Sequence, residues 1–214
     1  MTVLYVQSWD IIREKEEEYS EFVVNEYNPV VEELGIKIVG GYYVEVGEGP
    51  GTIACFTFND LSVVNGKITN PKFVEITNQL AKFVKNRKSA LAVSTGRVDA
   101  PEYTLQKNRW KWNFYYNVKH NKKSDYREAM KKTVEIFKAI DFVELTEEWR
   151  VIYGGRADYL LELTFGDPFD IGRLMNNGAF RDWEKLMKKE LIDFHSSRVL
   201  RSTERFEEPR WLKL

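Results

Sequence analysis

The sequence predicts an α+β fold of two consecutive βαββαβ units, and three observations carry that expectation. Residues recur at a constant offset of 107 positions, as between Tyr19 and Tyr126 (126 − 19), Val44 and Val151, Thr57 and Thr164, and Phe73 and Phe180. Beyond a one-residue insertion the offset becomes 108, joining Ser94 to Ser202, Arg97 to Arg205 and Pro101 to Pro209. Both halves then run through the same alternation of strand-like and helix-like hydrophobic periods, with turn and capping residues at equivalent places. The halves divide at 1–106 and 107–214.

Each half opens with a strand. In the first, beginning at residues 1–8, Val3, Tyr5, Gln7 and Trp9 share one face, and Trp110, Trp112, Phe114 and Tyr116 do so in the second, which implies one aromatic face per unit. A helix follows, in which Tyr19, Phe22, Tyr27, Val30, Val31 and Leu34 recur at helical spacing; its counterpart over 125–140 carries Tyr126, Met130, Val134, Phe137 and Ile140. Pro29 should kink or split the first of these, because it removes a backbone donor. Hairpins over 36–58 and 143–165 turn through Gly47, Gly49, Pro50 and Gly51, and through Gly154 and Gly155.

A second helical region starts at Asp60 and at Asp167-Pro168, where an acidic cap precedes the first turn. Its longer part starts at Asn70-Pro71 and buries Phe73, Ile76, Leu80 and Phe83, against Phe180, Trp183, Leu186, Leu191 and Phe194 in the second half. The closing strands are expected at 90–98 and 197–206. This order is the ferredoxin-like unit, an antiparallel sheet with both helices on one face. The other sheet face needs a cover, and the second unit of the same chain can supply it. The expected architecture is two tandem ferredoxin-like units whose sheets face each other as a pseudo-dimer within one chain, with room for a further homo-oligomer.

Composition narrows the function classes. The 32 basic and 33 acidic residues nearly cancel, so no field gathers nucleic acid or an anionic membrane surface. Cys55 is the single cysteine, which excludes an internal disulfide and a multi-cysteine metal site, and no metal is expected. The first residues lack the pattern of a secretion signal, and no apolar run approaches the ~20 residues that span a bilayer, so a cytoplasmic protein is expected. Abundant charge with few Gln, Cys and Met matches thermophilic composition. The Gly47, Gly49 and Gly51 run leads into a strand, not into a helix N-terminus, and is a hairpin turn instead of a phosphate loop.

The junctions Thr57-Phe58-Asn59-Asp60 and Thr164-Phe165-Gly166-Asp167, each followed by a helix with Asn and then Phe three residues on, resemble the dimeric α+β barrel superfamily. Its members include antibiotic-biosynthesis monooxygenase-like domains, NIPSNAP-like proteins and relatives of chlorite dismutase. The resemblance implies two sheets closing into a barrel with helices outside, and a small aromatic or anionic ligand handled without a cofactor, as in a monooxygenase or isomerase. The rival is a non-catalytic binding or oligomerisation module. Haem ranks last: the resemblance implies a histidine on the first helix of the second half, where Thr133 stands.

Candidate residues follow. Trp112 and Tyr116 could sandwich a planar ligand while Arg201 and Arg205, on one face of the final strand, hold an anionic group. Glu162 is the weak catalytic candidate: it alternates with Leu161 and Leu163 on a strand expected to be covered on both faces, where Arg201 or Arg205 could pair with it, and its counterpart in the first half is Cys55. His195, expected at the end of the last helix, is the other; His120 lies in a polar run and reads as a solvated loop residue. A cavity of roughly 300 Å³ or more lined by Trp112, Tyr116 and an arginine would mark an enzyme, and a sealed core would mark a module.

Overall fold

The computed structural model describes residues 2–98, 103, 109–155 and 157–203, without the side chain of His195. The first half runs β1 (Val3–Ile11), α1 (Glu16–Phe22), α2 (Asn28–Glu33), β2 (Lys37–Val46), β3 (Thr52–Phe58), α3 (Leu61–Ile68), α4 (Pro71–Leu80) and β4 (Val84–Ser94). The second runs β5 (Trp110–Val118), α5 (Lys123–Lys138), β6 (Glu144–Tyr153), β7 (Tyr159–Phe165), α6 (Phe169–Asn176), α7 (Gly178–Leu186) and β8 (Ile192–Ser202). The expected division at 106/107 lies outside the described residues.

The eight described strands form one closed antiparallel barrel in the order β1-β3-β2-β8-β5-β7-β6-β4. Each half supplies a four-stranded ferredoxin-like sheet, and the seams are β2 with β8 and β4 with β6. Closure pairs both edges of every described strand, so none of these strands offers a free backbone edge to another chain. The halves share one register: Val3 opposes Phe58 and Tyr5 opposes Phe56, while Trp110 opposes Phe165 and Trp112 opposes Leu163, again 107 residues apart (110 − 3).

Local chemistry starts the helices where the sequence indicates. Asp60 accepts the amide of Ser62 at 2.7 Å, Asn70 that of Lys72 at 3.0 Å ahead of Pro71, and Asn177 that of Phe180 at 3.1 Å. The split expected at Pro29 is realised as a π-helical turn, Val23–Tyr27, between α1 and α2. Among the described residues no helix is long and apolar enough to cross a membrane.

Both closing strands start earlier than the sequence pattern indicates. β4 begins at Val84 and β8 at Ile192, so Phe194 and His195 are strand residues, not the end of a helix. In the second half the helix passes into a π turn, Met187–Leu191, and Ile192 then extends to pair with Val118. The full length of β5 therefore finds a partner, which outweighs the helical periodicity of the preceding residues.

The aromatic strand faces lie under the helices. Val3, Tyr5, Trp9 and Phe56 pack with Tyr19, Phe22, Phe73 and Ile76; Trp112, Phe114, Tyr116 and Phe165 pack with Tyr126, Phe137, Phe180 and Trp183. A third cluster, with Leu4, Val39, Tyr42, Ile53, Cys55, Trp149, Leu160 and Leu200, fills the barrel between the two sheets.

Candidate functional site

The inward-facing positions differ between the halves, and the difference builds a polar wall. At an offset of 107, Leu4 corresponds to Lys111 (111 − 4), Val6 to Asn113 and Cys55 to Glu162. Lys111, Asn113 and Glu162 are all buried in the interior. Comparing the inward-facing residues of the two halves is the signal that could have revealed Lys111 and Asn113 from sequence; it was sufficient only for Glu162.

Glu162 is closely satisfied. Its Oε2 accepts from the Tyr103 hydroxyl at 2.7 Å and from Trp149 Nε1 at 2.9 Å, and its Oε1 accepts from Asn113 Nδ2 at 3.3 Å. Lys111 Nζ stands 3.4 Å from Glu162 Oε1 and donates to the Tyr103 hydroxyl at 2.6 Å. Burial opposes the charge on Lys111 and is the largest single effect, yet the Glu162 carboxylate together with Tyr42 and Cys55 outweighs it and holds the lysine pKa above its ordinary value. Burial also pushes the Cys55 thiol up to about 12, so it is an unreactive packing group at neutral pH. Among the described residues Lys111, not Arg201, is the cation beside Glu162.

Glu147 joins this wall across the β6–β7 ladder, directly opposite Glu162. Its carboxylate accepts from the backbone of Glu148 at 2.8 Å and from Ser94 Oγ at 3.1 Å. Burial raises its pKa to about 7; those two hydrogen bonds pull it down, and the carboxylates of Glu162 and Glu148 push it up.

Above the wall, at the hairpin end of the barrel, lies a cavity of about 140 Å³. Its inner surface is apolar, with Leu4, Ile53, Ala92 and Leu160, and its outer part carries Arg198, Lys88, Ser89 and Ser196. Arg198 lies over the Tyr115 ring at 5.2 Å, and its buried Nε has no hydrogen-bond partner. The β2–β3 turn closes directly on the guanidinium. A β-carbon at Gly49, whose φ is +110°, would stand 2.5 Å from Arg198 Nη2.

The residues singled out by sequence take other places. Trp112 packs on Phe114 and Phe180 at ring separations of 4.6 and 5.7 Å, and the Tyr116 hydroxyl shares a 2.8 Å hydrogen bond with Tyr126. The void beside Tyr116 measures only about 10 Å³. Arg201 is not brought to these aromatics; its Nε donates to Glu45 at 2.6 Å, with the Tyr43 ring 5.6 Å away. His120 is exposed in a short 3-10 turn, and Arg205 lies outside the described residues.

Under α5 a second polar group faces the helices. Glu148 is fully buried and receives Arg97 Nη1 at 2.8 and 2.7 Å, Thr95 Oγ1 at 2.5 Å and the Tyr126 hydroxyl. The residues of this region do not fit haem. Thr133 donates to the Ala129 carbonyl at 2.9 Å and accepts from Trp183 Nε1 at 2.8 Å, and the indole packs at 5.4 Å on both Phe137 and Phe180. The chain's own aromatics occupy the space beneath the helix.

No protein-family model and no curated protein matches this sequence. Solved structures do match its fold. A provisionally named monooxygenase from Fusobacterium nucleatum superimposes with a TM-score of 0.64 at 15% identity, covering 94% of this chain and 92% of its own. Another from Lactobacillus acidophilus gives 0.61 at 12%, covering 94% and 93%. A mutant chlorite dismutase from Candidatus Nitrospira defluvii gives 0.65 at 9%, covering 96% and 93%. At such identities the likeness is one of fold: this chain is an α+β barrel of the kind they share.

Proposed function

We propose that this protein binds a small anionic molecule in the cavity at the hairpin end of its barrel. One observation carries the reading: the guanidinium of Arg198 lines a largely apolar cavity of about 140 Å³ with its buried Nε unpaired. A buried donor without an acceptor is unfavourable by about 1–3 kcal/mol, and an anion in the cavity would relieve that penalty. At the mouth Lys88 adds a second positive charge and the exposed Glu48 a negative one, so Arg198 is the cation that decides, and the hydroxyls of Ser89 and Ser196 add neutral donors.

The same site supports binding more strongly than catalysis. A cofactor-independent monooxygenase or isomerase would need a proton-exchanging group against the ligand. Glu147, with its pKa of about 7, has the right acidity, but it does not line the cavity. A role in oligomerisation alone would not account for the unpaired Nε of Arg198. We also read the two halves as diverged copies of one unit, divided at 106/107, a reading supported by their shared register.

Isothermal titration calorimetry with acetate and with inorganic phosphate tests the anion reading. Saturable binding to the full chain that disappears in Arg198→Gln is expected. Undiminished binding to the variant would overturn it.

A further inference from the structure

We infer that the ligand of this cavity is an amphipathic carboxylate that enters apolar end first, with a group about the size of a benzene ring inside the barrel and its anionic head at Arg198. The inference rests on the anion reading above and adds the ligand's class and direction. The polarity gradient of the cavity sets the direction. Leu4, Ile53, Ala92 and Leu160 at the inner end are at most 6% exposed, whereas Lys88 at the mouth is exposed and Arg198 is half-buried. A fully polar anion such as phosphate would leave the apolar end unfilled. A neutral apolar molecule would leave Arg198 unpaired.

Volume sets the size. An engineered protein cavity of about 150 Å³ lined by aliphatic and aromatic side chains takes up benzene, and the space here is about 140 Å³. The turns that flank the mouth pack closely on their neighbours and bound the space to a group of this size. A β-carbon at Gly154 would lie 2.0 Å from the Ser89 carbonyl oxygen, so the β6–β7 turn rests directly on β4, as the β2–β3 turn rests on Arg198. The Tyr115 ring, already against the guanidinium, forms a flat wall beside the position of the carboxylate.

Calorimetric titration of the full chain with benzoate, acetate, phosphate and benzyl alcohol separates this inference from the reading beneath it. Benzoate is expected to bind at least about tenfold more tightly than acetate, from burial of its ring. Arg198→Gln should abolish benzoate binding, and Ala92→Leu, which fills the inner end, should weaken benzoate at least about tenfold while sparing acetate. Val151→Leu, a half-buried lining position that pairs with Ala92 across the β4–β6 seam, is the substitute filler if Ala92→Leu does not melt cooperatively. Acetate and phosphate binding as tightly as benzoate, in an Arg198-dependent manner, would sink the amphipathic ligand and keep the anion site. Benzyl alcohol matching benzoate, with Arg198→Gln inert, would sink both, as would the absence of binding by every probe.

Discussion

Glu147 and Glu162 stand directly opposite each other on β6 and β7, two carboxyl groups turned into the same barrel interior. Their surroundings separate them. Glu162 has Lys111, Tyr103, Trp149 and Asn113 around it, whereas Glu147 has one backbone amide and one serine hydroxyl. Burial holds the proton on Glu147, and the facing carboxylates of Glu162 and Glu148 add to that effect.

That relationship makes stability depend on pH. The folded pKa of Glu147, about 7, lies above its ordinary 4.5, so the folded state holds this proton more tightly than the unfolded state does. Stability from this group is complete below the ordinary value and falls as pH rises through the window up to about 7, by at most about 1.4 kcal/mol per pH unit. Glu147→Gln should melt close to the parent at pH 5 and above it at pH 8. Parallel melting curves for the two proteins between those pH values would refute the assignment.

The Lys111–Glu162 pair is expected to behave as a unit. Lys111→Met alone strands a buried carboxylate and should destabilise by about 3–5 kcal/mol in urea unfolding. Combining it with Glu162→Leu should recover part of that loss, because no charge then remains uncompensated. Additive losses in the double variant would show that the two residues do not act on each other.

Two glycines should respond in opposite directions to alanine. Gly154 has a φ of +74° and would drive its β-carbon to 2.0 Å from the Ser89 carbonyl oxygen, so Gly154→Ala should destabilise by more than the about 1–2 kcal/mol of the backbone strain alone. Gly172 in α6 has open space around its would-be β-carbon, and Gly172→Ala should stabilise by about 0.5–1 kcal/mol through helix propensity. Thermal melts of both variants provide the check.

Placing a histidine where the family resemblance points should not create a haem site. Thr133→Ala and Thr133→His both break the hydrogen bond from Trp183, but the indole and its neighbours Phe137 and Phe180 still fill the space. Titration of Thr133→His with haem should give no sharp Soret band. A stoichiometric one would mean that the aromatic packing yields far more readily than its burial implies.

The sequence by itself determined the succession of elements, their capping residues, the hairpins and the fact that each sheet has one aromatic face, because these follow from nearest neighbours along the chain and from periods of 2 and 3.6 residues. It also marked Glu162 as an acid on a covered strand, at the position equivalent to Cys55 in the other half. Tertiary structure alone decided that the aromatic faces meet the helices, that β4 and β8 start several residues early to complete their ladders, and that Trp112 and Tyr116 are core while Arg198 faces a cavity. The physical reason is the seams. Which residues share the barrel interior depends on how β2 meets β8 and how β4 meets β6, pairings between chain segments more than fifty residues apart that no local period encodes. Lys111 and Glu162 become neighbours only when β5 and β7, distant in the chain, form their ladder, and the Tyr103 hydroxyl then joins both.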